Sequence, residues 1–366
     1  MRVWSLAVLA FLTLCVSVGC SANDATWPTT SDGQVKNVLV APRSNVVWTA
    51  ADQVLFWAPV YMVPTTSLVR LTAADPHTLT WRHLETVDRS ANRISVSSDG
   101  AAAWFVDEPH SAIPSDSLAV LYRFSLADER ADTVAENRPV KLAGLHGYAH
   151  SVVAEPAAPG ALYVTPPDSL WLLQGPAGPR TLVATGCATI QAVSADGSRL
   201  LCSRQSITDL VFVTLPGGET TPFDVQAASP GQYPQGFGFV NGALHVVAVT
   251  TADSAWAVWE WKEETGAAQP LFKTSSFQEV PDLAFLSDDG ARIAVWTEEC
   301  LDQSYGLCLG GVQARLRVFD RGTGTVTVVA SHHVAQGVRG GVVAFAPDDR
   351  RIAYVIQYAL YVASLD

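Results

Sequence analysis

The chain has 366 residues, with 23 basic against 35 acidic and a formal net charge of −12. Apolar residues make up 48% and charged residues 16%, well under the usual quarter or so of charged residues. An acidic body with no basic stripe argues against nucleic acid as a partner and against electrostatic docking on anionic lipid.

In chain order, MRVWSLAVLAFLTLCVSVGC at 1–20 begins with one basic residue, runs through apolar and small residues, and ends at a small-residue site. That is the form of an export signal. It falls short of the roughly 20 apolar residues that a membrane span needs. Ser17-Val18-Gly19-Cys20 is similar to a bacterial lipobox, although Ser17 stands where that pattern usually has Leu. The resemblance implies cleavage before Cys20, a diacylglyceryl group on Cys20 and a membrane anchor. Ser21 stands where an Asp would favour the inner membrane, which points to the outer membrane of a bacterial envelope. Residues 21–34 are polar, with Pro28 and Gly33 as breakers, and read as a flexible tether. The expected layout is a signal peptide over 1–19, a lipidated Cys and tether over 20–34, and one domain over 35–366.

A hairpin signature then recurs: ISVSSDGAAAWFV at 94–106, AVSADGSRLLCS at 192–203, LAFLSDDGARIAVW at 283–296 and VVAFAPDDRRIAYV at 342–355. Weaker copies surround Asp52, Pro159-Gly160 and Asn241-Gly242. The turn positions 52, 99, 159, 196, 241, 289 and 348 lie 37 to 60 residues apart, bracketing a blade of about 40–50 residues. Asp-Gly and Asn-Gly supply the positive φ of tight hairpins, and an Asp carboxylate bonds its own backbone two residues on. These Asp residues are therefore structural, not catalytic. Most turns precede a third and a fourth strand, as in 121–135, 171–184, 212–225, 258–272 and 317–329.

Four strands per unit make a propeller blade. The turns resemble the TolB-like propeller repeat, a relative of the WD-type blade whose turn usually reads S-P-D-G. The fold class is all-β, a seven-bladed β-propeller. The last unit lacks a fourth strand, and KNVLVA at 36–41 has no unit of its own. That N-terminal strand is expected to complete the last blade against 359–364, closing the ring and removing its open edges. TolB itself has a separate α/β domain before its propeller, so its partners do not carry over.

Beyond Cys15 and Cys20 there remain Cys187, Cys202, Cys300 and Cys308, an even number in an exported chain. Two local disulfides are expected, Cys187–Cys202 and Cys300–Cys308. A plain two-residue turn would put Cys202 opposite Gln191, so the first pair requires the chain to bend back at Gly186. The spacing is not that of a zinc site.

No histidine pattern, H-E-x-x-H, G-x-S-x-G or C-x-x-C-H is present, and no cofactor or metal is expected. The first strands, which should line the channel, are mostly small and apolar, with Glu155, Gln191 and Asp282 as scattered exceptions. The serine-rich turn at 97–100 differs from a sialidase Asp box, because Asp99 and Gly100 are adjacent. Most of the 11 Trp residues are assigned to packing between blades.

Three links from second to third strand are long: 58–67, 107–117 and 297–311. Long loops on a rigid scaffold are where function concentrates. Tyr61, Glu108, Asp302 and Tyr305 are the candidate partner-binding residues. The expected protein is a monomeric, lipid-anchored envelope propeller that binds a protein or polymer. The alternative is an envelope enzyme acting on a carbohydrate or peptide at the propeller face.

Overall fold

A computed structural model describes residues 33–365, apart from 36–37, 42–43, 61–67, 86–90, 108–119, 136–151, 157–159, 166–167, 176, 205, 207, 229–232, 253, 302, 305–306, 309–310 and 335–340. Seven four-stranded antiparallel sheets follow one another. Blades 1 to 6 occupy 47–83, 91–135, 152–185, 189–224, 233–273 and 279–334. Blade 7 takes three strands from 343–364 and its fourth from Gly33–Gln34. The expected turn positions 52, 99, 196, 241, 289 and 348 each lie between a first and a second strand, and Pro159 is outside the described residues. Blade 6 also carries a small inserted hairpin, Gln303–Ser304 with Leu307–Cys308. No helix among the described residues is long and apolar enough to cross a membrane.

The turn chemistry repeats from blade to blade. Ser97, Ser194 and Ser287 are buried, and each hydroxyl lies 2.5–2.8 Å from the carboxylate two residues on, Asp99, Asp196 or Asp289. Each serine oxygen also accepts the N–H that opens the second strand, from Ala102, Arg199 or Arg292, at 2.9–3.0 Å. The Asp in turn accepts an N–H from Ala101, Ser198 or Ala291. Gly100 has φ +67°, and a Cβ there would sit 2.5 Å from that of Ala50 in the neighbouring turn. Only glycine meets both demands.

The core is a ring of seven apolar clusters, one at each boundary between neighbouring blades. Trp57, Trp104 and Trp296, each on a second strand, are fully buried. The Trp57 ring meets Phe105 of blade 2 edge-on at 4.9 Å, and Trp296 meets Tyr354 of blade 7 at 5.8 Å. Truncating such a residue to Ala costs about 3–5 kcal/mol.

The closing strand is displaced from its expected position. Gly33 pairs with Val362 and Gln34 with Tyr361, and the Val35 N–H donates to Leu360 O at 2.9 Å. The ladder therefore lies upstream of 36–41 and takes in Gly33 and Gln34, which belong to the segment expected to be tether. Val38, Val40 and Ala41 are buried in the packing about blades 7 and 1 or of blade 1 on blade 2, so their apolar character serves the core, not a strand.

Cys187 and Cys202 form a disulfide with Cα atoms 5.4 Å apart. Gly186 makes the bend before Cys187 with φ +78°. Cys202 faces Ile190 and not Gln191, because the first strand of blade 4 has a register shift between Ile190 and Ala192. Cys300 is also disulfide-bonded. Its expected partner, Cys308, pairs in the inserted hairpin with Gln303, and its side chain is outside the described set.

Candidate partner-binding face

In an antiparallel four-stranded blade, the links from second to third strand and from one blade to the next open on the same face of the ring. The strand ends that flank 58–67, 107–117 and 297–311 open on this loop face, since each of these links joins the second and third strands of its blade. Tyr61, Glu108, Asp302 and Tyr305 themselves, like Cys20, lie outside the described residues.

Five described residues mark this face. Tyr233 (67% exposed) opens blade 5, Phe277 (44%) sits in the link from blade 5 to blade 6, and Val280 (41%) begins blade 6. Leu301 (48%) follows the second strand of blade 6, and Tyr358 (42%) forms the corresponding turn of blade 7. The other exposed large apolar side chains among the described residues, Leu182 and Val328, lie on outer strands. The concentration of apolar side chains on one face of three consecutive blades is what an interaction surface looks like.

The ground beneath Phe277 is fixed. The Trp256 indole N–H donates to Phe277 O at 3.1 Å, and Thr274 Oγ1 accepts the Trp256 N–H at 3.1 Å. Glu279 anchors the far end of the link. It is fully buried and accepts the Ser275 N–H and hydroxyl, the Thr297 hydroxyl at 2.7 Å and the Arg317 guanidinium. Burial pushes the Glu279 carboxyl up, but the hydrogen bonds from Ser275, Thr297 and Arg317 outweigh it and hold it at about 2. A charged group so bound makes the link a rigid mount for Phe277 and Val280.

Loop length points to the same face but singles out none of these five side chains. Two had a local signal. Phe277 is a lone aromatic in the polar link SSFQE, and Tyr358 sits with Gln357 in a tight turn where both have positive φ. An aromatic held in such a turn is unusual and invites a functional reading.

First strands of neighbouring blades touch one another and so are innermost. Glu155, Gln191 and Asp282 come from blades 3, 4 and 6. Gln191 Nε2 donates to Thr189 and Ser203 within its own blade. Burial raises the Glu155 carboxyl. Among the described residues, no three His, Cys, Asp or Glu side chains gather as they would to hold a metal ion.

No protein-family model matches the sequence, and no curated protein matches it. Solved propellers do resemble the structure. The WD40 repeats of RRP9 align over 92% of this chain and 98% of that one, with TM-score 0.57 and 9% identity. YCF48, solved bound to a D1 peptide, aligns over 93% and 97%, with TM-score 0.56 and 9% identity. A TolB from Agrobacterium tumefaciens aligns over 81% and 97%, with 14% identity and TM-score 0.47. At these identities the likeness is one of fold.

Proposed function

We propose that this protein is a lipid-anchored propeller of the bacterial cell envelope whose loop face binds a protein or polymer partner. The observation that carries the binding role is the placement of Tyr233, Phe277, Val280, Leu301 and Tyr358 on one face of blades 5 to 7. Propellers are rigid scaffolds, and YCF48, with the same fold, has been solved with a peptide bound. The loops carrying Tyr61, Glu108, Asp302 and Tyr305 would extend that face over blades 1, 2 and 6.

The address rests on the N-terminal sequence. Residues 1–19 would be removed, Cys20 acylated, and the segment up to the closing strand would tether the ring to the outer membrane. Several acyl chains on one cysteine anchor stably, whereas one would be marginal. Replacing Cys20 by Ser should move the protein out of the membrane fraction. Retention as firm as the parent's contradicts the anchor.

The binding role is tested by crosslinking in the native envelope, comparing the parent with a Tyr233→Ala, Phe277→Ala variant. The variant should lose the captured partner while melting like the parent. An unchanged set of captured partners contradicts the reading.

A further inference from the structure

A groove of about 370 Å³ runs along the outer wall between blades 4 and 5, walled by Phe212, Phe223 and Trp261 and edged by Asp224 and Glu263. Its residues come from the outer strands of blade 4, the short helix that follows them, and the third strand and following turn of blade 5, and none of the five loop-face residues lines it. Its volume is at the small end for ligand sites, the scale of a side chain more than of a long polymer.

The rings are set at angles to one another. Phe212 and Phe223 are 5.2 Å apart and 58° from parallel, and Phe223 and Trp261 are 5.5 Å apart and 48° from parallel. A sugar-stacking platform needs a flat, open ring face. Tilted rings instead wall a cage, and their π faces carry the negative end of the quadrupole.

The same wall already holds one cation. The Arg199 guanidinium lies 4.4 Å from the centre of Phe212. Its two terminal nitrogens donate to the Glu263 oxygens at 3.1 and 2.8 Å. Arg199 and Glu263 balance in charge, and the exposed Asp224 adds a further carboxylate at the rim. The whole chain is acidic, which draws basic groups toward it.

We infer that this groove takes a basic side chain, a lysine or an arginine, from a partner polypeptide. The cation would sit against Trp261 and Phe223 with Asp224 as its counter-charge, repeating what Arg199 does beside Phe212 and Glu263. This is a second contact, beyond the loop face, and it does not depend on that face being the main docking surface.

The test uses the purified chain titrated with acetyl-pentalysine amide, followed by tryptophan fluorescence and calorimetry. Trp261→Leu should weaken binding about tenfold, as loss of a desolvated cation–π contact does. Asp224→Asn should weaken it less, and Trp261→Phe should keep most of it. Tyr233→Ala and Phe277→Ala should leave pentalysine binding unchanged, which separates this site from the loop face. Melting curves identify a variant that fails to fold, and Asp224→Asn and Trp261→Phe then still decide. Equal affinity in parent, Trp261→Leu and Asp224→Asn overturns the inference, because it marks diffuse attraction to an acidic protein. So does no binding of pentalysine, or binding of a neutral hexasaccharide in its place.

Discussion

Arg351 donates to both carboxylate oxygens of Asp52, at 2.8 and 2.7 Å, across 299 positions of sequence. Arg351 opens the second strand of blade 7, and Asp52 forms the first turn of blade 1, so the pair spans the seam where the ring closes. The guanidinium also lies 5.2 Å over the Trp48 ring, whose indole N–H donates to Ala344 O of blade 7 at 2.9 Å. The seam thus has a polar latch beside the strand pairing of Gly33–Gln34.

Because the Asp52 side chain is 38% exposed, the latch is worth about 1 kcal/mol and not more. Arg351→Leu and Asp52→Asn should each lower stability by roughly that amount, and the double variant should fall no further than either. Burial pushes the Asp52 carboxyl up, but Arg351 and His77 outweigh it and hold it below 3.8. The contribution is therefore present above pH 3.8 and lost as the solution becomes more acid. Denaturant unfolding of the four proteins measures the coupling, and additive losses contradict it.

A second pH dependence comes from His332. It is buried between blades 6 and 7, with Nε2 3.3 Å from the Tyr354 hydroxyl and its ring 4.9 Å from that of Tyr361. Burial lowers its pKa from 6.5 to about 4. The unfolded chain binds the proton first, so stability falls as pH drops from 6.5 to 4, by at most roughly 3 kcal/mol. His332→Leu should flatten that part of the stability profile. A variant whose profile keeps the parent's slope between pH 6.5 and 4 shows that another group is responsible.

Asp349 has the opposite sign. It lies in the blade 7 turn, near Asp289 and Asp288 of the blade 6 turn, with Arg292 as the opposing cation. Burial, followed by the hydrogen bond and charge of Asp289, raises it to about 7. The folded chain holds this proton longer than the unfolded one, so stability is full below pH 3.8 and declines as pH rises toward 7. Asp349→Asn removes the charge and suits a backbone φ of +54°. It should stabilise the protein at pH 8, by about 1 kcal/mol after screening by solvent, and leave it unchanged at pH 3.5. A variant less stable than the parent at pH 8 contradicts the shared-proton picture.

The seven blades were legible because hairpin turns are local. Ser194, Asp196 and Gly197 write one turn within four positions, and that grammar survives wherever the turn recurs. Ring closure was legible as a counting problem, but its register was not. The apolar run around Val38 and Val40 resembles a strand, whereas the actual ladder uses Gly33 and Gln34, which have no strand signal. The bulge that sets Cys202 against Ile190 was invisible for a similar reason, since a register shift depends on packing around the axis and not on the local residues. Loop length points to the loop face, yet of the five side chains that mark it only Leu301 lies in one of the long links. Whether Phe277 is exposed depends on Glu279 and Trp256 holding the link, which only the fold reveals.

The most direct measurement places a photo-crosslinking amino acid in turn at positions 233, 277 and 358 of the loop face and at 219, 265 and 323 of the opposite face. The latter three are exposed turn residues of blades 4, 5 and 6. Crosslinking is carried out in the native envelope with the anchored chain. One common partner should be captured from 233, 277 and 358 and none from 219 and 323, while position 265, beside the groove residues Glu263 and Gly266, reports the second contact. Capture of that partner from 219 and 323, with none from 233, 277 and 358, contradicts the loop-face reading.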